Sequence, residues 1–302
     1  ANRLRALGRS RSPLALSALM EGLRDASPAV RQGAAEGLGE SGLSEGLEPL
    51  VSALEDEESD IRPVAAEALG RLRKPESVSP LIQALYDDDL RLRNSAAMAL
   101  GEIGGREARD ALYYALTAGF DRRTFPTLVD AASRTGDLRL VEPAMEHLHD
   151  LASPVLRMQV LNAVGRVLGE RNHFYRLRLA DELGRASLVE KMMARIIRLA
   201  KAVKLGDEKQ RAKLQALAQD VSQAAATDDY RSLVRACKEL ATTTLALEGA
   251  REVSQAAARA LLLYLSHHDD LPEGEALIFL TICLTSLLRH MVAQSRSSQV
   301  EG

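Results

Sequence analysis

Three stretches decide the fold: VRQGAAEGLG at 30–39, IRPVAAEALG at 61–70 and LRNSAAMALG at 92–101. They lie 31 residues apart, and each keeps one frame: Arg, then Ala-Ala, then Leu-Gly. Gly8, preceded by Leu7, extends the series backwards, so Gly8, Gly39, Gly70 and Gly101 stand one period apart. Upstream of each frame, Leu19 and Leu23, Leu50 and Leu54, and Leu81 and Leu85 recur as pairs four residues apart. That spacing puts two leucines on one face of a helix. Asp25, Asp56 and Asp87 mark the polar turn between the two patterns.

Each period therefore predicts a helical hairpin. The first helix carries the leucine pair, and the aspartate satisfies free N–H groups at the turn or caps the second helix. That second helix runs through the alanine pair to a glycine suited to left-handed termination. Paired alanines let neighbouring helices approach closely, and Leu38, Leu69 and Leu100 fill the seam beside them. One hairpin cannot bury its apolar face alone, whereas a stack of them can.

The pattern resembles the HEAT repeat over about residues 14 to 104, and most closely the short HEAT-like variety also found in phycobilisome lyases. Beyond Gly101 the register loosens. Leu112 and Leu116 open a further first helix, 125–136 makes a degenerate second one, and 138–165 reads as a fifth hairpin. There SPVLR at 153–157 echoes SPAVR at 27–31, and Arg157 precedes Gly165 by the interval that separates Arg31 from Gly39. The expected fold is all-α: a solenoid of HEAT-like hairpins over 1–168, its first repeat truncated, then a non-repeating helical region over 169–302. In that second region helices are expected near 172–184, 187–205, 208–225, 228–246, 248–266 and 273–293, punctuated by Asp207, Asp228-Asp229 and Pro272. Opening in mid-repeat without a methionine, the sequence reads as a piece of a longer protein.

Composition agrees with a packed helical core. Hydrophobic residues make up 46% and charged residues 27%, while aromatics reach only 3% and tryptophan is absent, leaving Leu, Ala, Val and Ile to fill the interior. Cys237 and Cys283 sit in apolar helical patterns and read as buried free thiols. No secretion signal opens the chain, which points to a reducing cytoplasm. The longest apolar stretch, 276–288, is short of the roughly 20 residues a bilayer requires.

Several features could carry chemistry. Arg31, Arg62 and Arg93 recur with Asp25, Asp56 and Asp87, and the expectation is a stitching ladder of ion pairs rather than an anion site. Charge is uneven: residues 20–70 hold twelve acids against three bases, and residues 157–204 hold eleven bases against four acids. Such an asymmetry steers a basic partner to the first segment and an anionic surface to the second. Within 188–205, Leu188, Val189, Met192, Met193, Ile196, Ile197, Ala200 and Val203 form an apolar face bordered by Lys191, Arg195, Arg198 and Lys204. This is either a core helix with a charged edge or a helix that meets an anionic membrane.

HEAT-like DNA glycosylases hold DNA in the groove, but a chain without tryptophan and with a net charge of −3 is poorly matched to that use. His147 and His149, and likewise His267 and His268, lack the spacing that sets two metal ligands on one helix face. No phosphate loop, nucleophile elbow or Cys-His signature is present. The expectation is a chain that is not an enzyme and needs neither cofactor nor metal: a binding scaffold whose partner is another protein or another domain of its parent. The stretch RNHFYR at 171–176 resembles the cytoplasmic HEAT tail of some bacterial major-facilitator-like membrane proteins, which implies a place at the inner face of a membrane. The alternative that the HEAT resemblance implies is a phycobilin-lyase-like protein holding a chromophore in the groove, for which Tyr86, Tyr113 and Tyr114 are few aromatics.

Overall fold

The computed structural model describes residues 2–10, 12–56, 60–119, 121–170, 186–227, 229–266 and 273–297. All regular structure among them is helical, so the chain is all-α. It forms two compact units, Ala1–Asp137 and Leu138–Gly302.

In the first unit the helices are α1 (Asn2–Arg9), α2 (Pro13–Gly22), α3 (Pro28–Ser41), α4 (Leu47–Leu54), α5 (Arg62–Leu72), α6 (Val78–Ala84), α7 (Leu90–Ile103), α8 (Gly105–Thr117) and α9 (Phe125–Arg134). Odd-numbered helices carry the alanine frame and stack on one another in order, α1 on α3, α3 on α5, α5 on α7 and α7 on α9. Even-numbered helices carry the leucine pairs and close each hairpin. Proline at the first turn fixes several starts, as at Pro13, Pro28, Pro63 and Pro126, where a missing N–H costs nothing.

The alanine pairs Ala34-Ala35, Ala65-Ala66 and Ala96-Ala97, together with Leu38, Leu69 and Leu100, are completely buried. The repeat glycines do not terminate helices, contrary to the sequence expectation. Gly39, Gly70 and Gly101 lie inside α3, α5 and α7, and a Cβ on Gly39 or Gly70 would sit 2.8 Å from the Cα of Ala68 or Ala99 in the next helix. They are contact glycines. Termination at positive φ falls three residues later, left-handed at Gly42 (φ 66°) and Arg73 (φ 52°) and with an extended ψ at Gly104 (φ 69°). The period holds there too, but an arginine at one of the three positions hides it from the sequence.

In the second unit the described helices are α10 (Val141–Glu146), α11 (Pro154–Val167), α12 (Ala186–Ala202), α13 (Glu208–Ala226), α14 (Tyr230–Leu245), α15 (Glu252–Ser266) and α16 (Glu273–Ser297). Asp207 and Gln210 form a reciprocal capping box at the start of α13, and Asp229 caps α14 by accepting from the N–H of Ser232 at 3.1 Å. The expected helix near 172–184 and the RNHFYR stretch lie outside the described residues, as do His267, His268 and Pro272.

The units part at Asp137 rather than at the expected 168–169. The fifth hairpin, α10 and α11, is built into the second unit: α10 packs on α15 and α11 on α16. Ser286 donates to the carbonyl of Leu168 at 2.6 Å, Arg289 to that of Gly169 at 3.1 Å, and Arg259 pairs with Glu142 at 2.9 Å. Gly165 accordingly faces Ile282 of α16 at an ordinary 3.6 Å instead of a following repeat.

Over Ile278–Ser295, α16 is long and apolar enough to cross a membrane by length and composition, which the 276–288 stretch read alone did not suggest. Within the unit, 78% of that window is buried, as in a core helix. Cys237 and Cys283 are free and fully buried here. Burial pushes the Cys237 thiol up to about 12; burial and then the neighbouring Cys237 push Cys283 up as well. Neither is a nucleophile at neutral pH.

Candidate protein-interaction surface

The arginine ladder is the most regular polar feature of the stack. Arg31 is 8% exposed in its side chain; it donates to the carbonyls of Asp25 and Ala26 at 3.1 and 3.2 Å and pairs with Asp60 at 3.0 Å. Arg62 donates to the carbonyl of Leu54 at 2.8 Å and pairs with Asp87. Arg93 donates to the carbonyls of Asp87 and Asp88 at 2.7 and 3.0 Å and pairs with Asp121 at 3.4 Å.

Each arginine thus ties the turn of its own hairpin to a carboxylate at the next. Of the repeat aspartates named from sequence, Asp87 supplies such a carboxylate, whereas Asp25 accepts from the N–H of Ser27 at 2.8 Å inside its own turn, and Asp60 and Asp121 take the other places. Burial raises the Asp87 carboxyl, but the N–H of Asp89 and the Arg62 guanidinium outweigh it and hold the group below its ordinary value. Arg62→Ala should cost about 1–3 kcal/mol in chemical denaturation, because it strips a carbonyl and a half-buried carboxylate at once; an unchanged midpoint would reject the ladder as a source of stability.

A second ladder, not read from the sequence, runs one residue past the contact glycines. Arg9, Glu40, Arg71 and Glu102 alternate in sign at intervals of 31 residues, and Arg134 follows on α9. Arg9 pairs with Glu40 at 3.1 Å, Arg71 with Glu67 at 3.4 Å, and Arg134 with Glu102 at 3.8 Å and Asp130 at 3.0 Å; Arg5 pairs with Glu36 at 3.1 Å. The Arg9 hydrogen bond lowers the Glu40 carboxyl despite opposing desolvation, with Arg71 and Arg5 adding to the effect. The signal was legible as sign alternation at a fixed period. Its consequence is that the exposed edge of the alanine-bearing helices is neutralised from within.

The even-numbered helices differ. Outward positions on these helices and in the turns just after them form three rows: Ser17, Glu48, Ser79 and Asp110; Glu21, Ser52, Gln83 and Tyr114; Arg24, Glu55, Tyr86 and Thr117. All twelve are exposed, and four carboxylates face one arginine. Tyr86 and Tyr114 are 52% and 66% exposed, which sets them on this outer face.

In the second unit, α12 packs against α13 and α16; Met192, Met193, Ile196, Ala200 and, just past its end, Val203 are buried, Lys191, Arg198 and Lys204 are exposed and Arg195 is half-buried. Among the described residues, most of the apolar face that membrane insertion needs is packed inside the unit. Glu170, nearly buried, pairs with Arg289 at 3.2 Å and closes the end of α11. Beside it, burial and then Arg289 hold His290 below the ordinary imidazole range. A cleft of about 400 Å³ between α13 and α14 is lined by Asp220, Gln223, Thr227, Asp229, Arg235 and Glu239 among others.

The chain matches the family model for HEAT repeats over residues 1–63 and 47–124. It is similar to the structure of the CpcE–CpcF complex of phycocyanin lyase from Nostoc, at 20% identity and a TM-score of 0.43, over 83% of this chain and 94% of that one. It is also similar to importin β, at 13% identity and a TM-score of 0.38, over 86% of this chain but only 36% of importin β. No curated protein sequence matches. The expectation that the chain is not an enzyme is corrected by the first of these: a protein named as a lyase is among the structures it resembles, so the lack of a familiar motif does not exclude catalysis. The arginine ladder Arg31, Arg62 and Arg93 and the contact glycines lie within the matched residues, and the N-terminal part of this chain is a stack of HEAT repeats.

Proposed function

We propose that the repeats present a surface to another protein and that the chain works as a scaffold or regulatory module. The observation that carries this reading is the three-row outer face of the first unit, an exposed array repeated at the helical-hairpin interval. Its acidic balance favours a basic partner and speeds encounter with one. The neutralised edge of the alanine-bearing helices offers no free run of cations for a phosphate backbone, which speaks against nucleic acid as the partner.

The test is photo-crosslinking in the producing cell, with a photoreactive residue placed singly at Ser52 or Gln83 on the outer face and at Met98 on α7. Discrete, reproducible protein adducts from any of these positions are expected. Their absence from all three, with the protein folded and abundant, would sink the reading.

A further inference from the structure

The cleft between α13 and α14 has a polar lining that the packing of the second unit does not use. Its volume of about 400 Å³ is that of a small-molecule site. The floor is apolar, made by Leu217, Ala224 and Ala236, all buried. Two alanines, one from each helix, leave the seam unfilled where larger side chains would close it. At the end where the helices join, the polar groups are already committed. The Asp229 carboxylate accepts from the N–H of Ser232 at 3.1 Å to cap α14, and the Thr227 hydroxyl donates to the carbonyl of Gln223 at 3.0 Å.

Four lining side chains are left over: Asp220 and Gln223 from α13, and Arg235 and Glu239 from α14. All four are exposed, and none makes a side-chain hydrogen bond or ion pair among the described residues. Arg235 and Glu239 stand four apart on one helix, where opposite charges commonly pair, yet they stay open. Arg235 acts on the capping Asp229 through its charge alone. The chain reverses between the helices, which brings Asp220, seven residues before Thr227, level with the stretch between Arg235 and Glu239, six and ten residues beyond Asp229. Two carboxylates and one guanidinium therefore line one cleft without partners. The carboxylates repel a simple anion, and the guanidinium repels a simple polycation. A molecule with one carboxylate and two cationic groups matches the set charge for charge.

We propose that this cleft binds a free basic amino acid, with Arg235 clamping its carboxylate and Asp220 and Glu239 holding its α-ammonium and its side-chain cation. The site goes beyond the scaffold reading and does not rest on it. The guanidinium offers two parallel N–H donors to a carboxylate, a geometry that a lone ammonium lacks. Along α14 the step from Arg235 to Glu239 is about 6 Å, a span that the side chain of lysine covers. Because the four side chains are exposed and hold nothing else in place, replacing them leaves the fold intact.

The test is equilibrium dialysis of the full chain against radiolabelled L-lysine, with cadaverine, L-norleucine and Nα-acetyl-lysine as competitors. Lysine should bind saturably at one site. Cadaverine lacks the carboxylate, norleucine the side-chain cation and Nα-acetyl-lysine the α-ammonium; each should compete about tenfold or more weakly than lysine, the effect of losing one charged hydrogen bond. Arg235→Gln and Glu239→Gln should each weaken lysine about tenfold while leaving the circular dichroism unchanged. Arg231→Gln removes the same charge one turn earlier on α14, outside the cleft, and should leave the affinity within about twofold. No saturable binding at millimolar lysine would overturn the proposal. So would an analogue that competes as well as lysine, an affinity indifferent to Arg235→Gln and Glu239→Gln, or an equal loss in Arg231→Gln. Crosslinking from the first unit is read separately, so either result leaves the scaffold reading to its own test.

Discussion

Gly70→Val should destabilise the first unit by about 3 kcal/mol or more, the upper range for overpacking a close helix contact. An ideal Cβ at Gly70 lies 2.8 Å from the Cα and 2.9 Å from the Cβ of Ala99, and 3.3 Å from a carboxylate oxygen of Glu102. The first two atoms belong to a packed helix and cannot swing aside, so α5 and α7 must separate. Separation would open the seam that Leu69 and Leu100 fill without any exposure. It would also loosen the turn-to-turn arginine contacts on either side. The sign is diagnostic, since at a free helical position replacing glycine stabilises by about 0.5–1 kcal/mol. Gly165→Ala supplies the control: its Cβ would meet only Ile282, at 3.6 Å, and the change should be neutral or slightly stabilising. Urea denaturation of both variants separates the cases; a Gly70→Val midpoint equal to that of the parent would mean that the repeats are not held at this distance.

That contrast also bears on how much of the fold the sequence displays. Helical hairpins were legible because leucines four apart and alanine pairs recur every 31 residues, a period that stacked helix pairs produce and few other folds do. The purpose of the glycines was not. A glycine after a leucine at the end of an apolar run looks like a helix stop, and only the neighbouring helix reveals it as a point of contact. The ladder partners were half legible. Arg31, Arg62 and Arg93 keep the period, but two of the acids they meet, Asp60 and Asp121, occupy different places in their turns.

The outer face was legible as charge and not as geometry. The acidic excess of residues 20–70 is plain in the sequence, yet which carboxylates face water and which are paired depends on the rotation of each helix about its axis. Glu36 and Glu40 look no different from Glu48 and Glu55 until their arginines are in place. The fifth hairpin reads from sequence as part of the stack for a similar reason. Its motif echoes the repeat, but the helices that cover it come from more than 90 residues further along the chain, and no local pattern announces them.

The second unit has no repeat to hold it, so its stability should be concentrated in its long apolar helix, and Phe279→Ala should cost about 3–5 kcal/mol. Phe279 and Tyr264 are both fully buried, with ring centroids 4.7 Å apart and planes inclined by 43°. In a chain with 3% aromatics this pair is an exceptional mass of apolar surface, and it joins α15 to α16 where α10 and α11 also pack. Truncation removes the ring's burial and its partner's contact together, and a packed core such as the one α16 helps to form can refill little of the space. Phe279→Leu, which keeps most of the volume, should cost less than about 1.5 kcal/mol. Hydrogen exchange should show the loss of protection in α14, α15 and α16 of the alanine variant, while α3, α5 and α7 keep theirs. If instead the alanine variant lies within about 1 kcal/mol of the parent, a threshold set below the usual cost of such a cavity, the unit does not draw its stability from α16, and the burial of that helix needs another cause.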